Sequence, residues 1–169
     1  DYAHQGEFDI TFDYDGIDRR VQVITPEAGI SVLQYSAFGD ITYQSDSEGN
    51  MTYLHYDHLG RLESRLANDH SVTLDYDVGS NALGQLSSSR VDYNDGIAVQ
   101  KNFYYDNWGR ADRTVLETNG VTLEESVGFT SANQVEHVDY LSSHENLDGS
   151  LSFSTRYLYG PRGFLINVG

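Results

Sequence analysis

The chain has 169 residues and a formal net charge of −16, with 26 Asp and Glu against 10 Lys and Arg. That balance excludes nucleic-acid recognition through phosphates, which needs surplus Lys and Arg, and it argues against an anionic membrane surface. No apolar run approaches the ~20 residues of a membrane-spanning helix, and the absence of cysteine leaves no disulfide and no thiol chemistry.

From Asp1 to Asp9 the sequence is a polar lead, although Phe8, Ile10 and Phe12 already alternate with polar residues. Alternation of this kind writes a strand with one face covered. A first unit runs through Tyr14 and a turn ending at Asp18, continues as a strand over 20–25, and returns at Pro26-Glu27-Ala28-Gly29. The second spans Ile30 to Tyr43 through Tyr35 and Gly39, and returns at 46–50. The third carries Leu54-His55-Tyr56-Asp57, two unconstrained residues, then Gly60-Arg61-Leu62, with a return at Asn68-Asp69. In the fourth, Tyr76-Asp77 opens an enlarged turn that closes at Gly84, and the return is Asn94-Asp95-Gly96. The fifth contains Tyr105-Asp106-Asn107-Trp108-Gly109-Arg110 and returns at Asn119-Gly120. The sixth is the most degenerate, with Phe129-Thr130 and a long return containing Asp148-Gly149; the seventh ends with Tyr159, Gly163, Phe164 and Leu165.

One period is thus repeated about seven times. The position held by Tyr14, Tyr35, Tyr56, Tyr76, Tyr105, Phe129 and Tyr159 is always aromatic, and the residue two places earlier is always apolar or aromatic. Two apolar positions separated by a variable one specify a single sheet face. The position of Asp18, Gly39, Gly60, Gly84, Gly109, Asn133 and Gly163 admits only Gly, Asn and Asp, the residues that tolerate a left-handed backbone. Asp is a turn starter because its carboxylate accepts backbone N–H groups. Asn-Gly and Asp-Gly between β-patterned runs are strong hairpin signals. No stretch shows helical periodicity. The expected fold is all-β, an antiparallel meander of hairpins in one segment over 1–169, long enough to build a core and cut from a longer repetitive polypeptide.

The pattern Tyr53-Leu54-His55-Tyr56-Asp57-His58-Leu59-Gly60-Arg61-Leu62, with its close second copy Tyr104-Tyr105-Asp106-Asn107-Trp108-Gly109-Arg110, resembles the YD repeat of Rhs proteins. Related repeats occur in the B and C components of insecticidal toxin complexes, in bacterial wall-associated proteins and in teneurins. The resemblance implies a strip of a β-sheet that spirals into a hollow shell, and a secreted or cell-surface protein exported by a bacterium. Its implied partners are the remainder of the same polypeptide shell and an enclosed C-terminal toxin or other cargo. The self-cleaving shells of this family carry an Asp-Pro motif; this sequence has none, so no catalytic residue is carried over.

Other site readings are weaker. His55 and His58 sit three apart around Tyr56-Asp57 but need not converge on a strand and turn, and His4, His70, His137 and His144 are scattered, whereas zinc needs three or four converging ligands. Asp13, Asp15, Gly16 and Asp18 resemble part of a calcium loop but lack the later bidentate Glu and the flanking helices. Paired carboxylates for glycoside hydrolysis have no apolar setting to tune them. The expectation is therefore a non-enzymatic structural segment with no catalytic, cofactor or metal residues. Its marks are the repeat positions above, with Asp57–Arg61 and Asp106–Arg110 paired across their turns. The alternative is an extracellular module whose exposed aromatics bind a cell-surface glycan or protein.

Overall fold

The computed structural model describes residues 9–144 and 150–169, so the N-terminal lead through Phe8 and the return turn at Asp148-Gly149 lie outside the described residues. The architecture is all-β. Fourteen strands follow one another: β1 (Thr11–Tyr14), β2 (Arg20–Thr25), β3 (Gly29–Tyr35), β4 (Ile41–Ser45), β5 (Met51–Tyr56), β6 (Leu62–Ala67), β7 (His70–Tyr76), β8 (Leu86–Tyr93), β9 (Ala98–Tyr105), β10 (Ala111–Thr118), β11 (Val121–Phe129), β12 (Val135–His144), β13 (Ser150–Tyr159) and β14 (Leu165–Val168). Strand order in the open antiparallel sheet is sequence order, with no crossover. Among the described residues no helix is long and apolar enough to cross a membrane.

The chain groups into two compact units, residues 1–71 and 72–169, with the division inside β7. In the first, Phe12 opposes Val23, Val23 opposes Ser31, Leu33 opposes Gln44 and Gln44 opposes Thr52. Alternation from these pairs puts Tyr14, Tyr35 and Tyr56 on one face. In the second, Phe103 opposes Thr114, Thr114 opposes Glu125, Val127 opposes Val138 and Val138 opposes Thr155. The same reasoning puts Tyr105, Phe129 and Tyr159 on one face.

Every hairpin closed by the repeated turn, as far as its register is described, carries a β-bulge directly beyond the aromatic. Tyr56 opposes Leu62, but His55 opposes Ser64, so Glu63 is an extra residue. Val21, Thr42, Asp112, Glu136 and Ile166 are extra at the equivalent place. A bulge bends its strand and increases the local twist. Its repetition at one site makes the bend a property of the repeat.

The expected core is not built. Only Ala82, Val115 and Val138 are buried apolar residues, and no large side chain is fully buried among those described. The reason is topological: within each unit, strands contact only their sequence neighbours, so among the described residues no second layer covers either face. The repeat aromatics Tyr35, Tyr56, Tyr76 and Tyr105 are half-buried and Tyr14 is exposed. Burial of Tyr and Leu therefore contributes less than the sequence pattern suggests.

Candidate functional site

The feature that recurs most faithfully is the turn after the aromatic residue. In the third repeat the Asp57 N–H donates to the Arg61 carbonyl at 2.8 Å and the Gly60 N–H donates to the Asp57 carbonyl at 2.9 Å. This is a type I turn followed by a left-handed residue, one of the common three-residue hairpin loops. The same two bonds close the turns at 15–19, 36–40, 106–110, 130–134 and 160–164. The enlarged fourth turn is closed by the Asp77 N–H donating to Gln85 and the Gln85 N–H to Ala82. The residue at the fourth turn position has positive φ throughout: Asp18 61°, Gly39 98°, Gly60 79°, Gly84 79°, Gly109 74°, Asn133 62° and Gly163 77°.

The first turn residue organises the loop from its side chain. The Asp57 carboxylate accepts the N–H groups of Leu59 and Arg61 and, on its second oxygen, the Arg61 Nε at 2.7 Å. Asp106 does the same for Trp108 and Arg110, with Arg110 Nε at 2.7 Å. Asp15 repeats it with Ile17 and Arg19, Nε at 2.6 Å. Its oxygens are thus committed to the turn, and the acid-rich stretch 13–18 is the end of β1 and the hairpin turn that follows it. Ser36 Oγ accepts from Phe38 and Asp40, and Thr130 Oγ1 from Gln134. Six of the seven turns carry a short oxygen-bearing side chain at this position, broader than the Asp that sequence reading singled out, and the seventh has Gly160.

These contacts set the acidity of the turn carboxyls. Desolvation pushes Asp57 up, but the Arg61 N–H, the Arg61 guanidinium and the Leu59 N–H stabilise the anion and bring it below its ordinary 3.8. At Asp106 desolvation likewise opposes the stronger combined effect of Arg110 and the Trp108 N–H, leaving the group lowered. At Asp15 the Arg19 N–H is the largest influence and the net direction is also down.

Sequence reasoning missed the links between successive repeats. The Tyr35 hydroxyl donates to the Arg20 carbonyl at 2.8 Å, Tyr56 to Ile41 at 3.0 Å and Tyr105 to Leu86 at 2.7 Å. Each acceptor is the first residue after the preceding repeat's turn, so each tyrosine ties its strand back to the previous hairpin. Burial pushes the Tyr105 phenol up, keeping it a donor. The turn side chains reach forward: Arg19 Nη1 donates to the Ser36 carbonyl at 2.9 Å, Arg110 Nη1 to Asn133 Oδ1, and Gln134 Nε2 to the Gly163 carbonyl at 2.8 Å. The Arg19 and Arg110 guanidinium carbons lie 4.8 Å and 4.0 Å from the Tyr35 and Phe129 ring centroids, within cation–π range. In the enlarged turn, Asn81 Nδ2 donates to the Tyr105 carbonyl at 3.2 Å. The signal was present as Arg or Gln after the left-handed residue, but its partner lies a whole repeat away.

The geometry is that of a self-supporting array. Among the described residues no three His, Asp or Glu converge on a possible cation position. No protein-family model matches the sequence, and no curated protein does. Solved structures do match the fold. One is a chain of the Photorhabdus luminescens Tc holotoxin pore bearing a TccC3 mutation, with TM-score 0.70 and 13% identity over 95% of this chain. Another is a chain of the TcdB2–TccC3 complex, with TM-score 0.68 and 13% identity over 94%. In each case this chain spans only 9% of the longer one, and at that identity the likeness is one of fold: the meander described here is the fold of a portion of Tc toxin-complex proteins.

Proposed function

We propose that this chain is a structural, non-enzymatic segment of a YD-repeat shell in an exported bacterial protein, and that the shell encloses a C-terminal toxin or other cargo. The observation that carries this reading is the match of nearly the whole meander, at TM-score 0.70, to part of a Tc toxin-complex chain. The repeat's own mechanics support it. A wall must propagate without a core, and here successive hairpins are stapled together by the hydroxyls of Tyr35, Tyr56 and Tyr105 and by the turn side chains Arg19, Arg110 and Gln134. A wall must also bend the same way in every repeat, and a bulge at one fixed place supplies a bend of one sense. The repeat positions Tyr14, Tyr35, Tyr56, Tyr76, Tyr105, Phe129 and Tyr159, with their turn Asp, Gly and Arg, then serve as wall fasteners.

The test is made on the full polypeptide that contains this stretch. Electron micrographs of the purified protein should show a closed hollow particle. Limited proteolysis should spare a segment beyond the repeats that is cut rapidly once the particle is opened with denaturant. An open strip whose flanking segment is digested as fast before denaturation as after it would refute the shell. The glycan-binding alternative draws no support from the structures that share this fold.

A further inference from the structure

Two tyrosines outside the repeat position form a pair of their own. Tyr43 on β4 stands directly opposite Tyr53 on β5. Their ring centroids lie 5.0 Å apart and the ring planes are inclined at 50°, a tilted contact at close range for two aromatic rings. Directly opposed side chains are the nearest cross-strand neighbours that a sheet offers. Tyr43 opposes Gln34, and Tyr53 alternates with Leu54, so the pair lies on the face away from Tyr35 and Tyr56. Solvent reaches both rings: Tyr53 is 45% exposed and Tyr43 is half-buried. The hydroxyls of Tyr35, Tyr56 and Tyr105 are donated to carbonyls, whereas neither hydroxyl of this pair has a hydrogen-bond partner among the described residues.

We propose that Tyr43 and Tyr53 are an oxidative cross-linking site, at which a haem peroxidase with hydrogen peroxide joins the two rings as dityrosine. The enzyme's one-electron oxidant removes an electron and the phenolic proton from each tyrosine. The two phenoxyl radicals couple, and their unpaired electrons form one carbon–carbon bond between ring positions ortho to the oxygens; the para position of each ring already carries its Cβ. Each ring regains aromaticity by passing its ortho hydrogen to its oxygen. Two tyrosines and one hydrogen peroxide thus give one dityrosine and two waters. Placement favours coupling within the chain. The two rings are held side by side, which makes their encounter effectively unimolecular. A net charge of −16 keeps separate copies apart at low ionic strength, so a radical on one ring meets its own neighbour first. The other close ring pair, Tyr140 stacked on Phe153 at 4.4 Å, holds a single phenol and has no second radical to couple with. The product is a covalent link between the second and third repeats, in a chain with no cysteine to supply one. It does not rest on the shell reading.

The experiment treats the 169-residue chain, dilute and at low salt, with a haem peroxidase and one equivalent of hydrogen peroxide. Dityrosine emission is excited beyond the absorption of Trp108, the one tryptophan, and mass is read on the isolated monomer. The expected product is a fluorescent monomer two hydrogen atoms lighter than the parent. Cleavage of the denatured product after Glu48, which lies between the two tyrosines, should leave the flanking peptides joined. Tyr43→Phe and Tyr53→Phe keep the ring and lose only the hydroxyl, so each should retain the parent's melting temperature while monomer emission falls at least tenfold. Emission confined to covalent dimers overturns the proposal. So does monomer emission undiminished in either variant, and so do peptides that separate after cleavage at Glu48.

Discussion

Gly60 isolates one physical effect, because its φ is +79° while a Cβ built there meets no atom within 4 Å. Any cost of substitution therefore arises from the backbone alone. An L-residue held in the left-handed region costs about 1–2 kcal/mol. Replacing glycine recovers about 0.4–1 kcal/mol by narrowing the unfolded ensemble. Gly60→Ala should accordingly destabilise by about 1 kcal/mol. Gly60→Val, whose branched side chain fits that region worst, should lose about 2–3 kcal/mol. Gly60→Asn should stay within about 0.5 kcal/mol of the parent, because Asn133 and Asp18 occupy the equivalent position at 62° and 61°. Gly16, two places after Tyr14, supplies the control: it also has open space for a Cβ but no positive φ. Gly16→Ala should be neutral or stabilise by up to about 1 kcal/mol. Urea melts that shift in midpoint at constant m-value measure the series. Equal stability of the Ala, Val and Asn variants, or a Gly16→Ala loss matching that of Gly60→Ala, would refute the reasoning.

Tyr56→Phe removes the donor to the Ile41 carbonyl and should cost about 0.5–1.5 kcal/mol in the same melts; no change would show that the inter-repeat staple contributes nothing. The carboxyls of Asp15, Asp57 and Asp106 lie below 3.8 in the folded chain, so their stabilisation is complete above that pH and is lost as pH falls through the lowered folded values. Melting temperature should therefore drop steeply below pH 3.8 and less steeply in Asp57→Asn, whose side chain still accepts the turn N–H groups but cannot pair with Arg61; parallel curves would remove the turn carboxylate from the acid transition. Gly128→Ala would set a Cβ 2.0 Å from the His137 ring, an overpacking worth about 1–3 kcal/mol; His137→Ala should relieve it, and a double-mutant cycle without coupling would show that the ring moves aside freely.

The all-β meander was legible because its two governing signals are local. Alternation around residues such as Leu54 and Tyr56 fixes face, and a position restricted to Gly, Asn or Asp fixes the turn. The bulges were not legible: Val21, Thr42, Glu63, Asp112, Glu136 and Ile166 share no side-chain chemistry, and a bulge is defined by pairing with another strand. The pairing of Asp57 with Arg61 was readable from a spacing of four, whereas the reach of Arg19 to Ser36, seventeen residues on, had no sequence signature. The expected core failed for a related reason. Apolar alternation reports which face a side chain joins but not whether a second layer covers that face.

A sheet without a core must obtain cooperativity from its neighbours, and the contacts here are arranged for that. Tyr56 reaches back to Ile41 and Arg19 reaches forward to Ser36, so losing one hairpin exposes bonds in the adjoining ones. Stability then accumulates as repeat terms plus nearest-neighbour terms, as in other repeat proteins. The same economy leaves apolar side chains such as Leu123, Leu151 and Phe153 exposed on the face shared with Tyr105, a surface open to further sheet or chain. The acid load answers this hazard. With 26 carboxylates against 10 basic groups, any two copies repel at long range. The negative charge thus suppresses the indiscriminate sheet-to-sheet pairing that a one-layer sheet with exposed apolar groups invites.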